Sequence, residues 1–202
     1  MPVLQYVFAT VSPYAYLALP RLRALAEKQG LAVDFRPVDP AGLFARTGGQ
    51  VLAERHESRR AYRLEDLPRQ AAKAGLPLVL QPKVLPVNPA PSAYAIVAAQ
   101  GALRKTGAGD LFALVHSIGH ALWAEERDIA DDGVIKPLLA AAGFDPGLAD
   151  WALLSAAETY ARNLEDAVAE GVFGFPFFLW EGKKFWGQDR LDDLEAVIEG
   201  RL

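Results

Sequence analysis

The chain has 202 residues, 51% of them hydrophobic, which suffices for one large domain or two small ones with a real core and argues against general disorder. Its formal net charge of -4 offers nucleic acid or an anionic membrane no general attraction, so neither is an expected partner. The absence of cysteine excludes a disulfide framework, a redox-active protein thiol and a thiolate zinc site.

No apolar run approaches the roughly 18 residues of a membrane span. Met1-Pro2-Val3 leads toward a strand with no basic leader, so a cytoplasmic location is the expectation. Val3 to Phe8, "VLQYVF", has the form of a short buried strand. A helix follows in "SPYAYLALPRLRALAEKQG". Ser12 suits its N-cap and Pro13 its first position, where a missing N–H removes no internal bond. Tyr16, Leu17, Leu22 and Leu25 recur at helical spacing, Pro20 predicts a kink, and Gly30 suits the C′ position. Leu31 to Val38 reads as a second strand, which completes a right-handed parallel βαβ unit.

From Ala41 to about Ala169, alanine-rich helical patterns alternate with Gly and Pro breaks. "FPFFLWEGKKFWG" then reads as a hairpin turning at Glu181-Gly182, and Arg190 to Leu202 as a closing helix. The predicted fold class is α/β, with a discontinuous domain from residues 1–42 and 170–202 and a large all-α domain inserted at 43–169; a thioredoxin-like domain has this layout, although the same elements could be arranged otherwise.

Three stretches are candidate sites. A helix start at Ser12 points unpaired N–H groups and partial positive charge outward beside a hydroxyl, a setting that favours an anion or thiolate; simple capping is the competing role. Pro176 enters a strand that needs its donors, so it belongs at a strand start or edge. A cis Phe175-Pro176 bond would leave the Phe175 backbone open to a peptide-like ligand. In "FWGQDRL", Gly187 permits a tight turn, and Gln188 or Asp189 can cap the last helix; the Asp189 carboxylate can equally hold a ligand ammonium.

Other features read as structural. His116 and His120 stand four apart, but Ser117 replaces the glutamate of a zinc-protease motif and no third ligand follows, so no metal is expected. His56, amid Glu54, Arg55, Glu57, Arg59 and Arg60, lies in a mixed charge run expected to be a solvated helix face. Trp123, Trp151 and Tyr160 read as packing residues.

Taken together, "SPYAYLALPRL" and "GVFGFPFFLWEGKKFWGQDRL", with "RAYRLEDL", "LPVN" and "ALWAEERDIAD" between them, resemble the 2-hydroxychromene-2-carboxylate isomerase family. These are relatives of kappa-class glutathione transferases within the DsbA-like branch of thioredoxin folds. The resemblance implies that glutathione, as cofactor, brings the missing thiol. Ser12 then stands at the first cysteine position of the redox relatives, with Ala15 at the second, and donates a hydrogen bond to the glutathione sulfur. Phe175, before Pro176, would pair with the cysteinyl part, and Trp186, Gly187, Gln188 and Asp189 would surround the γ-glutamyl end. The implied reaction is reversible thiolate addition to a conjugated aromatic-pathway acid, with glutathione returned unchanged.

Two departures fall on the side expected to face substrate. Family members often carry Asp where Ala9 stands, and Lys and Asn in the segment matching "LFARTGG", which here has Ala45 and Gly49. Arg46, Lys83 and Asn88 are the candidates to hold a substrate carboxylate instead. A kappa-like transferase and a non-catalytic glutathione or small-acid binding module remain as alternatives, and the resemblance suggests a homodimer.

Overall fold

The computed structural model describes residues 3–202. Four strands, β1 (Val3–Phe8), β2 (Ala32–Pro37), β3 (Phe177–Trp180) and β4 (Lys183–Trp186), form one mixed sheet in the order β2-β1-β3-β4. β1 pairs parallel to β2 and antiparallel to β3, and β3 pairs antiparallel to β4. The β3–β4 hairpin turns through Glu181 and Gly182, both with positive φ (47° and 78°), the conformation of a two-residue type I′ turn.

The crossover between the parallel strands is α1 (Pro13–Gln29). It runs unbroken through Pro20 and ends at Gly30 in the left-handed region, φ 62°. The Leu31 N–H is used in that ending, donating to Ala26 O at 2.9 Å. β2 therefore begins one residue later than its apolar run suggests.

Between β2 and β3 lie seven helices: α2 (Pro40–Thr47), α3 (Glu57–Ala74), α4 (Ala90–Thr106), α5 (Leu111–Trp123), α6 (Asp132–Ala141), α7 (Leu148–Trp151) and α8 (Leu153–Ala169). The closing helix α9 spans only Leu191–Ile198. A 3-10 turn, Gln188–Arg190, precedes it, and Gly200 at φ 69° stops it, with the Arg201 N–H turning back to Ala196 O at 2.7 Å. Among the described residues, no helix is long and apolar enough to cross a membrane.

The sheet carries a stacked aromatic core. Tyr6 lies 4.6 Å from Phe8 and 5.4 Å from Phe178, centroid to centroid, and Phe35 meets both Tyr6 and Phe8 edge-on. The same buried cluster continues without a break into Leu67 on α3, Ile96 on α4, Leu114 and Ile118 on α5 and Ile135 on α6.

One packing expectation is corrected. Trp151 is 68% exposed, because the short α7 turns its indole outward. His56, Glu54, Glu57, Arg59 and Arg60 are exposed as expected, with Arg55 half-buried among them; His56 is the N-cap of α3, its Nδ1 accepting from the Ser58 N–H at 3.3 Å. The expected packing of Trp123 and Tyr160 is found, at 1% and 8% exposure.

Candidate active site at the start of α1

Ser12 is the N-cap of α1, with extended backbone (φ -85°, ψ 118°). Its Oγ accepts from the Ala15 N–H at 3.3 Å, and its own N–H donates to Ala9 O at 2.9 Å. Capping thus occupies one lone pair of the hydroxyl. Among the described residues no acceptor takes its hydrogen, so that hydrogen is free to point at a ligand.

The sheet and α4 hold this helix start in place. The Tyr6 hydroxyl donates to Ala15 O at 2.9 Å, and complete burial keeps that phenol protonated by raising its pKa well above the usual value. In the preceding loop the buried Thr10 donates to Pro89 O at 3.3 Å and accepts from Ser92 Oγ at 2.9 Å. Tyr14 donates to Asp66 on α3 at 3.0 Å; burial first, and Asp66 second, raise its pKa.

The second wall is built before and after the β3–β4 hairpin. Phe175-Pro176 is cis, the Pro176 carbonyl accepts from the Gly187 N–H at 3.0 Å, and β3 starts only at Phe177. Among the described residues, the N–H and C=O of Phe175 make no hydrogen bond. Its ring rests 5.8 Å from that of Phe44 on α2. Trp186 is 51% exposed, edge-on to Phe173 at 4.9 Å, and its indole fits over Gly174, where a Cβ would sit 2.5 Å from Nε1.

Gly187 has φ 112°, and a Cβ there would lie 2.4 Å from Asp189 Oδ1, so only glycine fits. Contrary to expectation, neither Gln188 nor Asp189 caps α9. The 3-10 turn intervenes, and Asp189 Oδ2 instead accepts from Arg190 at 2.9 Å, with Arg190 also reaching Asp193 at 3.1 Å.

The two walls are joined. The 3-10 turn packs on α1, and α9 runs beside α1 in the same direction, through an Arg21–Asp192 pair and a Lys28–Glu195 pair at 2.6 Å. The segment carrying Gln188 and Asp189 therefore lies toward the end of α1 that begins at Ser12.

Of the three candidates for a substrate carboxylate, Arg46 has its guanidinium engaged, while only the backbone of Lys83 and the side-chain oxygen of Asn88 are bonded. Arg46 already grips a carboxylate, that of Glu165 on α8, at 2.5 and 3.0 Å. Lys83 is exposed, its backbone N–H bonded to Glu126 at 2.8 Å. Asn88 Oδ1 accepts from the Ala90 N–H at 3.1 Å, next to the Pro89 carbonyl that holds Thr10. Arg55, expected on a solvated face, and Arg63, not singled out by its sequence context, are half-buried around Tyr14. A signal existed: Arg63, Leu67 and Ala71 share one helical face, and the latter two are core residues.

The profile of the DSBA-like thioredoxin domain family matches residues 3–199. A relative from Pseudomonas putida, described as 2-hydroxychromene-2-carboxylate isomerase, is 30% identical over 99% of this chain and 95% of its own. The chain belongs to the 2-hydroxychromene-2-carboxylate isomerase family of DSBA-like thioredoxin domains. A solved 2-hydroxychromene-2-carboxylate isomerase superposes with a TM-score of 0.78 at 25% identity, over 98% of this chain and 95% of that one. The cytosolic disulfide reductase DsbM of Pseudomonas aeruginosa, solved with GSH, has the same fold at 24% identity, with a TM-score of 0.67 over 98% of both chains. This member of the DSBA-like family presents Ser12 and Ala15 at the start of α1 and has no cysteine anywhere.

Proposed function

We propose that the chain is a glutathione-dependent isomerase of the 2-hydroxychromene-2-carboxylate type. The observation that carries this reading is the Ser12 hydroxyl at the N-terminus of α1, its oxygen held by Ala15 and its hydrogen uncommitted. The residues fit the tripeptide. Ser12 offers a donor to a sulfur, Phe175 an unpaired backbone amide and carbonyl, and Asp189 a carboxylate for an ammonium. GSH in DsbM, a protein of the same fold, is consistent with that fit. Bound there, glutathione would supply the nucleophilic thiolate that the cysteine-free chain lacks, for reversible addition to a conjugated acid.

The chain's own residues make that chemistry accessible at neutral pH. The Ser12 O–H donates toward the sulfur, and the first N–H groups of α1 add partial positive charge, which together favour thiolate over thiol. Pro13 opens the helix without a donor of its own, and the Tyr6–Ala15 bond fixes the direction in which that charge points. Phe175 and the half-exposed Trp186 hold the ligand's peptide part against the hairpin.

The test is the ultraviolet thiolate difference spectrum on adding glutathione at neutral pH, in wild type and Ser12→Ala. A thiolate band present in wild type and lost in the variant is expected, together with turnover of 2-hydroxychromene-2-carboxylate that leaves glutathione unconsumed. No band in either protein overturns the reading, and a stable adduct in the product mass spectrum replaces it with transfer.

A further inference from the structure

Arg55, which closes the 3-10 turn Leu52–Glu54, and Arg63 on α3 are half-buried, and among the described residues neither forms a salt bridge. Every other partly buried arginine of the described residues, Arg36 and Arg127, has a carboxylate within 3.3 Å. The Arg55 guanidinium lies 5.9 Å from the ring centroid of Phe44, which touches Phe175, and its Nε donates to Gln50 O at 3.0 Å. That of Arg63 lies 5.7 Å from the ring of Trp123, whose buried Nε1 has no partner. One arginine thus borders the Phe175 wall and the other the Tyr14 side of Ser12.

We infer that Arg55 and Arg63 jointly bind a small-molecule carboxylate beside Ser12, supplying a cationic wall where Ala45 and Gly49 offer none. The inference rests on the thiol-site reading above. Burial lowers the pKa of both guanidiniums, and like charge lowers it further, from Arg59 on Arg55 and from Arg55 on Arg63. Two desolvated cations that repel each other without a counter-ion favour an arriving anion. The partly exposed ring of Phe44 beside Arg55 suits a planar conjugated acid, whose carboxylate a guanidinium meets with two parallel N–H bonds, while the buried Trp123 ring backs Arg63. The glycyl carboxylate of glutathione has the same chemistry.

Calorimetric titrations with trans-cinnamate and with its neutral amide, cinnamamide, separate charge from shape. Wild type is expected to bind cinnamate about tenfold tighter than cinnamamide. Arg55→Met and Arg63→Met each reduce that preference several-fold, while Arg63→Lys, which keeps the charge and loses the two parallel N–H bonds, retains part of it, and Arg60→Met, altering an exposed neighbour on α3, leaves it intact. Glutathione and γ-glutamylcysteine titrated into the same variants identify the guest: weaker binding of glutathione alone assigns the carboxylate to its glycine. Circular dichroism confirms folding. If Arg55→Met and Arg63→Met fold and change none of these affinities, the arginine pair is overturned. A thiolate band without any carboxylate effect removes only the pair, and a carboxylate effect without a thiolate band removes only the thiol-site reading.

Discussion

Gln100 on α4 completes the backbone hydrogen bonding of Phe35: its Oε1 accepts from the Phe35 N–H at 2.8 Å, and its Nε2 donates to the Phe35 carbonyl at 3.0 Å. β2 is an edge strand, and this one amide takes the place of a neighbouring strand at that residue. Gln100→Met leaves both groups unpaired in a partly buried setting. The expected loss is about 2–4 kcal/mol, from an unsatisfied donor and acceptor at ~1–3 each with partial access to water. Urea unfolding checks it, and a change below about 0.5 kcal/mol counts against the role.

Gly119 is where α5 approaches α1. A Cβ there would lie 2.7 Å from Tyr16 Cδ2 and 3.0 Å from its Cβ, and both helices are buried at this point. Gly119→Ala gains helix propensity of about 1 kcal/mol but overpacks a closed contact at a cost of ~1–3 kcal/mol. A net destabilisation is expected in chemical unfolding, and a stabilised variant would show that the helices can part freely.

Gly174→Ala probes the ligand wall rather than the core. The added methyl would lie 2.5 Å from Nε1 and 3.0 Å from Cε2 of the half-exposed Trp186, whose indole can swing away. Stability should change little, while glutathione affinity falls by about tenfold, equivalent to ~1.4 kcal/mol. Unchanged affinity by calorimetry would remove Trp186 from the binding surface.

His116 predicts an acid limit to stability. Half-buried against Tyr16, with His120 beside it and Glu125 next to His120 at 3.4 Å, it has its pKa lowered by burial first and by His120 second. The folded state therefore holds its proton less tightly than the unfolded chain does. The stability that neutral His116 allows is present above the unfolded value near ~6.5 and declines as pH falls below it. Melting temperatures taken from pH 7.5 to 5 should fall, less steeply in His116→Gln; parallel curves would reject the assignment.

Much of this architecture is legible because its signals are local. Pro13 and Gly30 bracket α1, and Glu181-Gly182 turns the hairpin where the apolar runs break. Ser12 and Pro176 announce themselves by chain geometry alone. The role of Gln100 cannot be read that way, since a glutamine in an alanine-rich helix looks the same whether it faces water or an edge strand. The burial of Arg55, within a charge run, and of Arg63, just beyond it, is not legible locally, because the rings beside them belong to Phe44 and Trp123 on other helices. The end of α9 was overextended because Gly200 stops it from within an otherwise helical pattern.

Asp189 enters the site with a cation already on it. Its carboxylate bonds Arg190, and Arg190 keeps a second acceptor in Asp193. In the proposed function, docking of a ligand ammonium at Asp189 is consequently a swap of one positive partner for another, with the displaced guanidinium retained on Asp193 instead of released to water. Only the difference between the two pairings contributes to affinity. Added salt weakens the old pair and the new one alike, so this contact responds less to ionic strength than an open carboxylate would.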